Sequence, residues 1–318
     1  MRAFVFPGQG SQAVGMGQAL AEAFPAARLV FEEVDDALSQ KLSKLMFEGP
    51  ESELTLTENA QPALMAVSLA VVRVLEREGG FELSERAAFV AGHSLGEYSA
   101  LCAARCLDLA DAARLLKRRG RAMQRAVPVG EGAMAALLGL ELEGAREVAE
   151  AARVDPESGE TQVCQPANDN APGQVVVSGH KAAVERAVAL AAEKGARRAI
   201  ILPVSAPFHC ALMQPAADEM AEALAEVTLA SPVVPLISNV TASPQSDPTT
   251  IRRLLVEQVT GLVRWRESVA ALRALGVERL VEAGAGKVLT GLAKRIDREL
   301  AAEAIGTPAE VEAFLKGQ

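Results

Sequence analysis

The chemistry of this chain begins with a serine set between two glycines. Gly92-His93-Ser94-Leu95-Gly96 follows the apolar run Ala87–Ala91 and precedes a helical pattern from Gly96 to Arg105. Strand, tight turn and helix in that order are the setting of a nucleophile elbow. There the glycines permit the turn and the serine hydroxyl stands exposed at a helix N-terminus. Ser94 is therefore read as a nucleophile, with the Leu95 N–H as one donor to an oxyanion hole. GxSxG by itself also fits an ordinary loop; the flanking strand and helix favour the elbow. A serine hydroxyl needs a base, and the chain has 3 histidines. His93 adjoins Ser94, so its side chain leaves the elbow in another direction. His180 follows Ser178-Gly179 at the start of a helical pattern, where capping or a surface role suits it. His209, in Ser205-Ala206-Pro207-Phe208-His209, ends a strand-like run, and catalytic side chains gather at the C-terminal edges of parallel strands. Elimination leaves His209 as the base or as a half-buried, hydrogen-bonded histidine, and the residues alone do not choose.

The elements that position these residues follow from periodicity. Ala3–Phe6 and Ala87–Ala91 are short apolar runs stopped by Pro7-Gly8 and Gly92, the pattern of buried strands. Helical patterns cover about Gly17–Val34, Ala60–Glu78, Gly96–Arg105 and Leu109–Arg125. Strands alternating with helices predict a mainly parallel sheet covered on both faces. From about Gly132 to Pro203 the rhythm changes. A strand at Ala133–Leu140, a helix at Glu143–Arg153, strands near Thr161–Gln165 and Gln174–Ser178, a helix at Lys181–Lys194 and a strand at Arg198–Leu202 follow in turn. That β-α-β-β-α-β order is ferredoxin-like. We read residues 131–202 as a subdomain inserted into a core made of 1–130 and 203–318. Val233–Ser238 and Glu278–Glu282 are expected to return to the main sheet, with helices near Thr249–Val259 and Val288–Leu300. Ser243–Pro248 is a loop, and no internal repeat is present.

Composition narrows the function. With 318 residues and 50% hydrophobic content, the chain suffices for about two domains or one large domain with an insertion. Its 9 Phe, 1 Tyr and 1 Trp offer few stacking platforms, and 32 Lys+Arg against 41 Asp+Glu leave a net charge of −9, so nucleic acid is not an expected partner. Cys102, Cys106, Cys164 and Cys210 form no CxxC and no metal cluster. They read as small core residues of a reduced, cytoplasmic protein. The N-terminal apolar run is too short for a signal peptide. The uncharged stretch Ala199–Ala217 holds three prolines and His209, which excludes a membrane span.

Phe6-Pro7-Gly8-Gln9-Gly10-Ser11-Gln12, the segment GHSLGEYSA from Gly92 to Ala100, Arg119-Gly120, Asn170-Ala171-Pro172-Gly173-Gln174 and Gly284-Ala285-Gly286-Lys287-Val288-Leu289 occur in that order along the chain. The joint pattern resembles the malonyl-CoA:acyl carrier protein transacylase family. The resemblance implies an α/β-hydrolase-like core with a ferredoxin-like insertion, in agreement with the periodicity. It implies Ser94 as nucleophile and His209 as base, the imidazole being oriented by a main-chain carbonyl at Gln258 rather than by a carboxylate. Gln12 is implied as a second oxyanion-hole donor beside Leu95, and Arg119 as the binder of the malonyl carboxylate. That last role is physically apt, because malonyl differs from acetyl by a carboxylate and a guanidinium offers it two parallel charge-assisted bonds. Without the resemblance, Arg119 would read as one solvated charge in the basic run Lys117-Arg118-Arg119-Gly120-Arg121.

By the same resemblance Met123 and Phe208 flank the acyl pocket, and the bulk of Phe208 favours malonyl, although relatives with serine there also use it. Asn168 and Asn170 match polar positions near the cleft, where turn capping explains them almost as well. The implied reaction is ping-pong transfer of malonyl from malonyl-CoA, through a malonyl-serine, to the phosphopantetheine thiol of acyl carrier protein, supplying extender units for fatty-acid synthesis. No metal or redox cofactor is required. Carrier proteins of this type are acidic, so a local basic rim is expected from Lys287, Lys194, Arg197, Arg121, Arg198 or Lys294. Two rivals use the same residues: a serine hydrolase on the same elbow, and a carrier-binding subunit without activity.

Overall fold

The computed structural model describes residues 1–317. In chain order its strands are β1 (Arg2–Phe6), β2 (Phe89–Gly92), β3 (Gly132–Leu138), β4 (Cys164–Ala171), β5 (Gln174–His180), β6 (Arg198–Ile201), β7 (Leu236–Ile237), β8 (Pro244–Gln245), β9 (Arg279–Ala283) and β10 (Ala301–Ile305). Six of them form one sheet in the order β10-β9-β1-β2-β7-β8, parallel throughout except for the β7–β8 hairpin. Both faces are covered. Along β1, Phe4 and Phe6 enter one apolar cluster while Ala3 and Val5 enter another, the period-2 alternation of a strand between two helical layers.

The other four strands form an antiparallel sheet in the order β4-β5-β3-β6. Numbered within the unit, that is second-third-first-fourth, and the helices Leu142–Ala152 and Lys181–Glu193 pack their apolar faces on it in a separate core. The architecture is α/β, with a mainly parallel sheet and a ferredoxin-like unit between β2 and β7.

On one face of the main sheet lies the helix Thr57–Gly79, buried almost from end to end. The helix Leu109–Arg125 crosses it closely, because Gly120 brings backbone to backbone. A Cβ at Gly120 would lie 2.5 Å from the Glu58 Cα and 2.6 Å from the Thr57 carbonyl oxygen. This close approach explains the Arg119-Gly120 pair as a packing requirement that carries Arg119 inward.

Several boundaries differ from the sequence expectations. The single helix expected over Gly17–Val34 is two, Gln18–Ala23 and Pro25–Leu38, broken at an extended Phe24 where Pro25 opens the second. The strand expected near Thr161–Gln165 starts at Cys164 and runs to Ala171, through a polar stretch without alternation. The run Val233–Ser238 contributes only Leu236–Ile237, and Ser243–Pro248, expected as a loop, holds the edge strand β8 and the first residue of the helix Pro248–Thr260. Helices Leu42–Glu48, Gln214–Ala225 and Trp265–Ala274, and the edge strand β10, were not expected. All four cysteines are buried and unpaired. Among the described residues no helix is long and apolar enough to cross a membrane.

Candidate active site

Ser94 stands in the turn between β2 and the helix Gly96–Ala103, at the C-terminal edge of the parallel sheet. The two glycines serve close packing. A Cβ at Gly92 would lie 1.9 Å from the Gly96 carbonyl carbon, and one at Gly96 would lie 2.3 Å from the Phe6 carbonyl oxygen. The left-handed residue of the elbow is the serine itself, with φ 52°. A non-glycine residue held there costs on the order of 1–3 kcal/mol, which the surroundings must offset. Asn239 spans the turn, its Oδ1 accepting from the Ser94 N–H (2.8 Å) and its Nδ2 donating to the Gly92 carbonyl (2.7 Å).

His209 lies 115 residues along the chain, with Nε2 2.8 Å from Ser94 Oγ. Its Nδ1 is 2.9 Å from the main-chain oxygen of Gln258. A carbonyl oxygen only accepts, so Nδ1 carries the proton, and Nε2 is left bare to accept from the serine hydroxyl. The ring is thereby held in the tautomer that a general base requires. Burial, reinforced by the nearby Arg119 charge, pushes the His209 imidazole down to about 3 from the ordinary 6.5. A base works only when unprotonated, so the acid limb of serine acylation should lie well below 6.5. Stopped-flow acylation between about pH 8 and pH 5 should therefore show no inflection near the ordinary histidine value. An inflection there would mean that the working imidazole is solvated.

Arg119, on the helix Leu109–Arg125, is 1% exposed. Its neighbours in the basic run diverge around the helix. Lys117 pairs with Glu58 (2.9 Å), Arg118 with Glu219 (3.2 Å) and Arg121 with Glu58 (2.8 Å). Arg119 alone turns into the elbow, where one terminal nitrogen donates to Gln61 Oε1 (2.8 Å) and the other to Gln258 Oε1 (2.9 Å) and Ser94 Oγ (3.2 Å). Its nearest acceptors are neutral, so the charge is held without being cancelled; Nε has no partner among the described residues. The guanidinium also lies 5.8 Å from the Tyr98 ring centroid.

Glu97 closes the network. One carboxyl oxygen accepts from the Asn239 N–H (2.6 Å) and the other from Gln258 Nε2 (2.5 Å). Burial pushes this carboxyl up to about 8, against the pull of those two donors and of Arg119. Gln258 Nε2 also donates to the Ser94 carbonyl (2.9 Å). One glutamine thus touches nucleophile, base and guanidinium. Gln61, Glu97 and Asn239 join the site without a role expected from the sequence. Glu97 lies inside the quoted GHSLGEYSA segment, whereas Gln61 and Asn239 arrive from distant segments with no local signal.

The Leu95 N–H and the Gln12 N–H have no hydrogen-bond acceptor among the described residues. The loop carrying Gln12 leaves β1 beside the elbow, with the His93 N–H donating to the Phe6 carbonyl (3.0 Å). Gln12 itself makes no hydrogen bond to Ser94; its side-chain oxygen accepts from the Gly10 N–H (2.7 Å). Met123 is buried and its sulfur receives Gln61 Nε2 at 3.7 Å, which places it beside the Arg119 partner. Phe208, next to His209, is buried.

His93 points away from the hydroxyl, its Nε2 lying 2.8 Å from Asn170 Oδ1. Asn170 and the buried Asn168 lie within β4 rather than in a turn, so turn capping is not their role. His180 occupies an N-cap position, but its Nδ1 accepts from the Val163 N–H (2.9 Å) rather than capping the helix. Lys287 pairs with Glu310 (2.8 Å), Lys194 pairs with Glu147 (3.0 Å), and Arg197 is exposed at the end of the inserted sheet. A cleft of about 480 Å³ reaches His209 between the helix Leu142–Ala152 and residues 260–264, with Arg146, Arg153 and Arg264 on its walls. Among the described residues no group of three or more His, Cys, Asp or Glu is placed to hold a metal ion.

Comparison with known proteins identifies the family of the chain. Residues 3–305 match the acyl transferase domain family. A malonyl CoA-acyl carrier protein transacylase of Salmonella typhimurium is 49% identical over 98% of this chain and 98% of its own length. The crystal structure of an acyl-carrier-protein-S-malonyltransferase from Bartonella henselae superposes with a TM-score of 0.95 at 59% identity, covering 99% of this chain and 98% of its own. A malonyl-transacylase solved in complex with a type II polyketide acyl-carrier protein gives 0.94 at 44% identity, covering 100% and 99%.

Proposed function

Because the chain belongs to the acyl transferase domain family and, within it, to the malonyl-CoA:acyl carrier protein transacylases, we propose that it transfers malonyl through a covalent malonyl-Ser94 by a ping-pong route. His209 Nε2 takes the hydroxyl proton as Ser94 Oγ attacks the thioester carbonyl. The oxyanion is received by the free N–H groups of Leu95 and Gln12. As the tetrahedral intermediate collapses, the carbon–sulfur bond breaks and CoA leaves as a thiol with the proton from His209. The phosphopantetheine thiol of acyl carrier protein then gives its proton to His209 and attacks the malonyl ester. Ser94 recovers its hydrogen as the product thioester departs. Proton transfer and acyl exchange account for every bond, so the chemistry calls for neither a metal nor a redox cofactor. The malonyl-carrier product is an extender unit, with fatty-acid synthesis as its destination.

One observation carries the choice of malonyl: a fully buried guanidinium 3.2 Å from the nucleophile, held by neutral amides that leave its charge available. A malonyl carboxylate supplies the missing anion, and Met123 and Phe208 supply the apolar wall of its pocket. The Arg146, Arg153 and Arg264 cleft suits the phosphates of CoA and of the carrier's prosthetic group. Lys287 is the foremost docking residue for the acidic carrier. It is exposed beside Gly286, which packs on Ser11 in the loop that precedes Gln12. Lys194 and Arg197 extend that role to the inserted subdomain.

Substrate selectivity tests the reading. Removing one partner of a buried charge pair costs about 3–5 kcal/mol, or roughly 10²–10⁴-fold in kcat/KM. Arg119→Ala should lower malonyl loading by that factor while sparing or raising acetyl loading, since acetyl has no carboxylate to lose. Arg119→Lys should recover only part, because an ammonium keeps the charge without the fork. Equal effects on acetyl-CoA and malonyl-CoA would remove Arg119 as the carboxylate binder.

A further inference from the structure

Asn239 has no exposed surface, and all of its polar groups are engaged. It lies two residues beyond the end of β7, at the C-terminal edge of the sheet. Its side chain closes a ring across the elbow, accepting from the Ser94 N–H and donating to the Gly92 carbonyl. Its main chain is fixed from two sides, the N–H donating to Glu97 Oε1 (2.6 Å) and the oxygen accepting from the Arg264 N–H (3.1 Å). Glu97 in turn binds Gln258, whose carbonyl orients His209 and whose side-chain oxygen accepts from Arg119.

From this chain of contacts we propose that Asn239 is a positioning residue of the transfer, holding Ser94 in its left-handed conformation so that Oγ meets His209 and the acyl carbon, with Glu97 fixing Asn239 in place. The inference rests on Ser94 being the nucleophile proposed above. The chemistry of the amide is what the task requires. One atom must accept and its neighbour must donate, because the Ser94 N–H and the Gly92 oxygen are both met by this one side chain. Without the clamp, the strained residue is free to relax toward ordinary backbone angles. That swings Oγ away from Nε2 while the rest of the site persists. A nucleophile misplaced by about 1 Å loses on the order of 10²-fold in rate.

The test uses a small fluorophosphonate, which acquires a bond from Ser94 Oγ to phosphorus as fluoride leaves and needs neither malonyl-CoA nor carrier. In the full chain, Asn239→Leu fills the space and removes both bonds. Phosphonylation of Ser94, followed by intact mass, should slow on the order of 10²-fold, and malonyl loading should lose kcat with KM unchanged. A purely structural asparagine would lower the melting temperature and leave the labelling rate of the folded variant alone. Labelling within about fivefold of the parent would therefore overturn the proposal. If the leucine variant does not fold, Asn239→Ala is read on the same scale. Glu97→Gln should slow labelling too, because an amide cannot accept from both Asn239 and Gln258. A parent protein that labels at Ser94 but does not load malonyl would defeat the transfer reaction and leave the positioning role standing.

Discussion

The Ser94→Ala variant is expected to form no acyl-enzyme with malonyl-CoA and to fold as the parent does. Alanine keeps the same Cβ, so the left-handed backbone at φ 52° is no more crowded than before. What disappears is one oxygen and its bonds to His209 Nε2 and Arg119. Leaving the imidazole nitrogen without its donor costs about 1–3 kcal/mol, a few degrees in melting temperature and far from unfolding. The chemistry has no substitute. Cys102, Cys164 and Cys210 are buried, and burial raises each thiol above its ordinary range. Intact mass spectrometry after malonyl-CoA addition should show the unmodified variant, alongside a native circular dichroism spectrum. A malonyl adduct persisting on the alanine variant would move the nucleophile elsewhere.

Removing the imidazole should be nearly as severe and more informative about the cycle. His209 serves as base when Ser94 attacks and as acid when a thiol or the serine leaves, so His209→Ala slows loading and unloading together. General acid–base help of this kind is worth roughly 10²–10⁴-fold. Single-turnover loading from malonyl-CoA, and discharge by reduced phosphopantetheine, should fall by comparable factors. His180→Ala should leave both rates unchanged, because His180 accepts from the Val163 N–H in the inserted subdomain. Loss on one half-reaction alone would contradict a single shared imidazole.

How much of this was legible in the sequence depends on how local the determining forces are. The elbow was legible because a strand, two close-packed glycines and a helix are adjacent in the chain. The inserted subdomain was legible because its strands and helices alternate within 132–201 with strong periodicity. The strand β4 was misplaced because Gln165–Asn170 is polar yet pairs with β5 through two register shifts, so alternation gives no signal there. Pro25 marked the break between the first two helices, but the apolar pattern on either side obscured it. Arg119 was indistinguishable from Lys117, Arg118 and Arg121 by type alone. What separates them is the turn of about 100° per residue that aims only Arg119 at Ser94. Gln61, Asn239 and the side chain of Gln258 were beyond reach for another reason. Each meets Ser94 or Arg119 across 58 to 164 residues, and nothing in their neighbours announces it.

If malonyl passes through Ser94 on its way to the carrier, a chase experiment will catch it there. The protein is mixed with malonyl-CoA, freed of excess donor, mapped by peptide mass spectrometry and then exposed to carrier protein bearing its phosphopantetheine. A malonyl ester should form on Ser94, stay stable until the carrier arrives and then appear on the carrier thiol. An adduct on any other residue, or release of the label as free malonate with the carrier unmodified, would contradict it.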